Sequence, residues 1–310
     1  MMTTKKVIKV GSRDSQLALW QTKYAIEELK KVFTDYEFEI VSMKTKGDKI
    51  LDVSLSKIGD KGLFTNELES MMLSGEVDMA VHSLKDMPTS LPEGLSLSCF
   101  LERYDHRDAL LTKHSGGIME LPKGAIVGTS SLRRRSQLLA MRPDLQVKDL
   151  RGNVNTRLRK YHEEDFDAVI LAVAGLERLD FHDEISEHLD DQFFVPAVGQ
   201  GALVIEARTD REDLNEKFAL VNDDNTTKCV FAERQFMCAL DGGCQVPMGA
   251  YAQINGDEIS IHGFVGAVDG SVMLKDTVTD SVENYEKIGE QLAKKLLEKG
   301  AKNILDTIRN

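Results

Sequence analysis

The sequence predicts an α/β fold in two lobes, followed by a small α+β module. Three observations carry this. Short apolar strand patterns alternate with helical patterns from Val7 onward; the alternation restarts at about Asp108; and the last third changes to strand runs joined by hairpin turns at Asn255-Gly256-Asp257 and Asp269-Gly270. Alternation of this kind implies largely parallel sheets with binding loops at the C-terminal ends of the strands. No internal repeat of short fixed period is visible, although the two lobes could share a plan.

In order, Val7–Val10 is a strand pattern and Ser15 opens a helix to about Phe33. Phe38–Met43 is a second strand, followed by a long polar segment over residues 44–62, of the kind that forms a functional loop or lid. A helix covers Thr65–Leu73, and Val77–His82 is an apolar strand ending in Ser83-Leu84-Lys85-Asp86 before Pro88 and Pro92 break the pattern. In the second lobe, strands at Ala125–Gly128, Gln146–Leu150 and Ala168–Ala172 alternate with helices at Ser131–Met141 and Asn155–Glu163. Residues 195–201 form a Pro/Gly turn region, and Ala202–Ala207 is a further strand. Thr226–Leu240 reads as a helix, Ala250–Ile254, Ile259–Gly266 and Val272–Val278 as three strands, and Glu283–Lys299 as the last helix.

The 310 residues carry a formal charge of −12, with 42% hydrophobic and 29% charged residues, as expected of a globular protein of about two or three domains. The acidic balance disfavours a nucleic-acid partner or an anionic membrane. No apolar run reaches the ~20 residues that span a bilayer, and Met1–Lys6 lacks a signal-peptide core, so the cytoplasm is the expected compartment. The four cysteines form no C-x-x-C pair, and the seven histidines show no metal-ligand spacing, so no metal is expected.

Charge position matters more than the total. Residues 133–159 hold eight cations against two acids, a local balance of +6. Gly128-Thr129-Ser130-Ser131 lies between a strand and a helix, and Leu150-Arg151-Gly152-Asn153 repeats that arrangement one unit later, which suits an anion. Arg133, Arg134, Arg151 and Arg157 lie near these strand ends and are read as binding carboxylate or phosphate; Arg135, Arg142 and Arg159 are read as a solvated helix face. Gly11-Ser12-Arg13-Asp14-Ser15 is a further anion-suited loop, and Asp14 reads as exposed. Asp86 either acts in acid–base or cation-stabilising chemistry or pairs with Lys85 and caps a turn. Cys244, on a glycine-flanked loop without a histidine partner, is not a hydrolase nucleophile, and covalent attachment stays open; Cys99, Cys229 and Cys238 read as small hydrophobes. His82 reads as structural, and His182 and His188 as solvated. A non-catalytic two-lobe binder of a small anion is the rival reading, and an RNA binder is weaker because aromatics are only 6% of the chain.

Eight segments together resemble the porphobilinogen deaminase (hydroxymethylbilane synthase) family over nearly the whole chain. They are Gly11–Ala18, Thr45–Asp48, Gly59–Phe64, His82–Pro88, Gly128–Arg134, Leu150–Arg157, Pro196–Gly201 and Asp241–Pro247. The resemblance implies two type II periplasmic-binding-protein-like lobes flanking a cleft, with residues 1–101 and 202–219 in one and 102–201 in the other. A third domain, 224–310, has a three-stranded antiparallel sheet. It implies a dipyrromethane cofactor held by a thioether to Cys244, and condensation of four porphobilinogens, with loss of ammonia, into the linear tetrapyrrole hydroxymethylbilane of heme biosynthesis. It gives Asp86 the catalytic role and Ser83, Lys85, Asp86, Thr129, Ser130, Ser131, Arg133, Arg134, Arg151 and Gly152 to the cofactor. Arg13, Ser15, Arg157, Arg178, Gln200, Lys57 and Lys61 go to the substrate, the last two on a mobile loop. A six-ring chain bearing twelve carboxylates needs many cations, which the +6 segment supplies, and a buried Asp86 would stabilise the cation left when ammonia departs. A monomer without nucleic-acid or membrane partners is the family expectation.

Overall fold

The computed structural model describes residues 6–45, 65–242 and 246–309. Lys57, Lys61 and Cys244 lie outside them. The chain divides into two compact units, Met1–Arg103 with Ala202–Thr227, and Tyr104–Gly201 with Lys228–Asn310.

The first unit is built on a five-stranded sheet of β1 (Lys6–Arg13), β2 (Tyr36–Met43), β3 (Met79–Ser83), β4 (Leu95–Phe100) and β10 (Leu203–Arg208), in the order β2-β1-β3-β10-β4. Helix α1 (Gln16–Lys30) starts where Ser15 caps it, its hydroxyl accepting from the Ala18 N–H. It buries Ala25, Ile26 and Leu29 against Ile8, Val10, Met79, Val81 and Ile205. The opposite face packs Ala80, Val77 and Leu95 under Leu68 and Met72 of α2 (Asn66–Ser74). Helix α6 (Glu212–Phe218) adds Leu214 and Phe218 to the α1 face.

The second unit repeats the plan with β5 (Asp108–Thr112), β6 (Ile126–Gly128), β7 (Gln146–Lys148), β8 (Ala168–Ala172) and β9 (Glu187–His188), in the order β7-β6-β8-β5-β9. Helix α3 (Leu132–Met141) covers one face through Leu138, and α4 (Val154–Glu163) the other through Leu158 and Tyr161. The short α5 (Val173–Glu177) follows β8. In each sheet three strands follow one another in parallel through helical crossovers, and one strand from elsewhere in the chain inserts between the third and the last. The sheets are therefore mixed rather than largely parallel. Strand β10 runs antiparallel to both neighbours, as does β5, because neither is preceded by a crossover helix that would force it parallel.

The remaining sheet is antiparallel, with β11 (Met248–Asn255), β12 (Glu258–Gly266) and β13 (Met273–Ser281) in sequence order. Ala250, Ile259, Ile261 and Val265 pack on Ala232 and Phe236 of α7 (Asp224–Ala239) and Leu292 and Leu296 of α8 (Tyr285–Glu298). The last helix of the sequence reading, Glu283–Lys299, is α8; Gly300, at φ +101°, separates it from a further helix that reading lacked, α9 (Ala301–Arg309).

Candidate active site

The first unit gathers its expected residues at the C-terminal ends of β1 and β3. Arg13 ends β1, and Ser15 is committed to capping α1. Ser83 ends β3, and the chain turns through one 3₁₀ turn, Leu84–Asp86, stopped before Pro88. Leu84 is buried and fixes the turn, so Lys85 is half-buried and Asp86 is exposed. Asp86 is thus an open carboxylate rather than the buried one expected, because Leu84 is the residue of the turn that is buried. A pocket beside it is lined by Arg13, Gln21, Thr65, His82, Ser83 and Asp86, among the described residues. Gln21, 4% exposed, donates from Nε2 to Ser83 Oγ at 2.9 Å and so orients it. Asp14 is half-buried, 3.8 Å from Lys44, rather than fully exposed.

The second unit gathers the other expected residues at the ends of β6 and β7. Thr129 is buried; its N–H donates to Lys148 O at 2.9 Å and its hydroxyl accepts from Ser131 N at 3.2 Å. Ser130 ties this loop to the next one, donating to Leu150 O and accepting from Leu150 N, both at 3.1 Å. Ser131 caps α3, accepting from Arg134 N, and Asn153 caps α4, accepting from Thr156 N at 2.9 Å. Gly152 sits between them at φ +115°, where a Cβ would lie 2.5 Å from Thr156 Cγ2. Two helix N-termini and the half-buried Arg151 and Arg157 therefore share two adjoining loops, an arrangement suited to carboxylates.

Two of the expected anion-binding arginines are held by a buried carboxylate. Arg133 and Arg134 are each 5% exposed, and both reach the fully buried carboxylate of Asp108 at 2.7 Å. Arg133 also donates to Val195 O, and Arg134 to Ile170 O. Burial opposes the charge on Asp108, but the two guanidiniums outweigh it and hold its carboxyl well below the usual range. Gln200, 1% exposed, donates to Asp108 Oδ1 at 3.0 Å and His106 O at 2.8 Å. Arg178, 8% exposed, donates to Gly201 O at 3.0 Å and stacks on Tyr104. The described contacts of Arg133, Arg134, Arg178 and Gln200 are thus with their own unit. Among the arginines read as solvated, Arg159 pairs with Glu163 on the surface. Arg142 instead donates to three backbone carbonyls and Asp144, joining the loop before β6 to α3.

Cys244 lies in the three undescribed residues that follow α7, and both flanks are packed. Leu240 and Val246 are buried, and Gly242 lies against Met248, where a Cβ would come 2.2 Å from its sulfur. Cys99 and Cys229 are buried, and burial pushes the Cys99 thiol up to about 12; Cys238 is exposed on α7, contrary to its reading as a core residue. His82 is buried as expected. The sequence reading missed Gln21 and Asp108. An acidic residue opening the apolar run Ala109-Leu110-Leu111 was the available signal for the second. Among the described residues no group of three potential ligands could hold a metal, and no helix is long and apolar enough to cross a membrane.

Two family descriptions match the sequence: "Porphobilinogen deaminase, dipyromethane cofactor binding domain" over residues 8–216, and "Porphobilinogen deaminase, C-terminal domain" over residues 227–298. Curated relatives named porphobilinogen deaminase from Bacillus cereus (strain B4264) and Bacillus anthracis (strain CDC 684 / NRRL 3495) are each 54% identical over 303 residues, 97% of this chain and 97% of theirs. Among solved structures, the probable amino-acid ABC transporter extracellular-binding protein ytmK from Bacillus subtilis aligns at a TM-score of 0.42 and 14% identity, covering 70% of this chain and 90% of that one.

Proposed function

We propose a division of labour among the residues above from the premise that this chain belongs to the porphobilinogen deaminase family. The chain is an enzyme of tetrapyrrole synthesis that carries a dipyrromethane cofactor. The donor set fits such a group: each pyrrole carries two carboxylates, and the second unit presents Arg151, Arg157, the Thr129 and Ser131 loop and two capped helix N-termini. These residues are assigned to holding the cofactor's carboxylates, and Cys244 to holding it covalently by a thioether. When bound, the cofactor supplies the ring to which porphobilinogen units are added.

In the first unit Arg13 and Lys85 are assigned to the substrate's acetate and propionate groups, and Ser83, oriented by Gln21, to a polar contact beside them. Asp86 is assigned the central role. As the aminomethyl C–N bond breaks, the electron pair leaves with ammonia and positive charge spreads over the pyrrole. A carboxylate beside it stabilises that charge and accepts the pyrrole N–H. The single observation that carries this is placement: Asp86 is the carboxylate lining the pocket, on a turn fixed by buried Leu84, with cationic Lys85 and Arg13 around it. Arg133, Arg134, Gln200 and Arg178 are assigned to shaping the second unit, and Lys57 and Lys61 to the substrate. The chain is proposed to work as a cytoplasmic monomer without nucleic-acid or membrane partners, in keeping with its charge of −12.

Replacing Asp86 by Asn tests the assignment. The variant keeps the fold and the covalent cofactor, and kcat falls by about 100-fold or more; an unchanged kcat removes Asp86 from the mechanism.

A further inference from the structure

Behind the pocket that Asp86 opens on, the first unit holds three titratable side chains that the assignments above do not use. His82 on β3 and Glu206 on β10 project to the α2 face of the sheet, as diagonal neighbours on antiparallel strands. His82 is 5% exposed and Glu206 0%, with His82 Nε2 3.1 Å from Glu206 Oε2. Glu69, 4% exposed, reaches the same place from the first turns of α2.

The contact is not that of an ordinary structural pair. His82 Nε2, both carboxylate oxygens of Glu206 and Glu69 Oε1 are buried without an aligned hydrogen-bond partner. His82 and Glu206 therefore meet at 3.1 Å without an aligned hydrogen bond. A carboxylate buried this way is costly unless a neighbouring charge or a proton compensates it. Two glutamates face one imidazole, so full charge on both would leave one uncompensated. Burial, reinforced by Glu206, raises the Glu69 carboxyl above its ordinary value against the opposing effects of Thr65 and His82. His82 also lines the pocket, one residue before Ser83 and the turn that carries Asp86.

We propose that His82, Glu206 and Glu69 act as one proton-holding unit behind the pocket, with His82 a positioning residue that sets the charge met by an anionic ring substituent there. The proposal rests on the pocket beside Asp86 being the reaction site. The charged groups around His82 are Glu206 from β10 and Glu69 from α2, with Arg13 from β1 and Asp86 from the turn lining the same pocket; α1 contributes the uncharged Gln21.

The test pairs a spectroscopic readout with a kinetic one on the full-length holoenzyme. Carbon-edited spectra follow the histidine ring signals, with His82 identified by its loss in His82→Gln. In Glu206→Gln the pH response of the His82 ring signals moves relative to the parent, and a limb of the kcat/KM pH profile moves with it; Glu69→Gln gives a smaller move in the same direction. Both variants are isosteric, so either alone carries the test if the other does not fold. A His82 pH response unmoved in the folded variants overturns the shared unit. A response that moves while the kcat/KM profile stays put overturns its role in the pocket. Failure of the Asp86 assignment is separable, because it shows in Asp86→Asn turnover, whereas the shared unit is judged on Glu206→Gln and Glu69→Gln.

Discussion

Two arginines and a glutamine converge on the single carboxylate of Asp108, which is fully buried. Breaking a buried ion pair by removing one partner leaves the other charge uncompensated. Asp108→Asn is therefore expected to lower unfolding free energy by about 3–5 kcal/mol, measured by urea denaturation. The pH dependence follows from the depressed carboxyl. An unfolded aspartate titrates near about 3.9. The stabilisation is full above that value and is lost as pH falls from it through the lower folded-state value. The gap between parent and variant should be flat above about pH 5 and narrow below about pH 4; a gap that widens in acid would contradict the assignment. The role of Arg133 and Arg134 was not legible in the sequence. Arginines after a strand end look alike whether they face a ligand or a buried aspartate, and this aspartate is 25 residues away. Asp86 was legible as a candidate, but its exposure depends on a turn whose direction a sequence does not state.

At the scale of the element, the two loops after β6 and β7 set backbone N–H groups and arginines together because of local rules. Ser131 and Asn153 cap their helices, and Ser130 joins one loop to the other. The two helix starts were legible because capping needs only the residue and the start of an amphipathic run, whereas the Ser130 link was not. Gly152 is the element's most constrained position. Gly152→Ala places a methyl against Thr156 in a backbone conformation that L residues resist. It is expected to cost about 1–3 kcal/mol and to raise KM, with Thr156→Ala partly restoring both; a Gly152→Ala protein with parental stability and KM would show that the loop has another conformation available. The helix end before Gly300 was read, but the short helix beyond it, which packs Ala301, Ile304 and Leu305 on the same core, was not.

For the whole molecule, strand and helix alternation made the α/β class readable, and the hairpin turns made the third sheet readable. The mixed character of the two large sheets was not, because the inserted strands β5 and β10 reach their sheets through irregular segments rather than crossover helices. The formal charge of −12 disfavours a nucleic-acid partner, yet eight cations against two acids lie within residues 133–159. Position within the chain, not the total, bears on the small-molecule site. The central claim is that this chain builds its product on a covalently held dipyrromethane. The intact mass of the purified full-length protein tests it most directly. The expected mass is that of the polypeptide plus two porphobilinogen units less two ammonia, and the increment disappears in Cys244→Ser. A bare polypeptide mass in catalytically active protein, or an increment that survives Cys244→Ser, would contradict it.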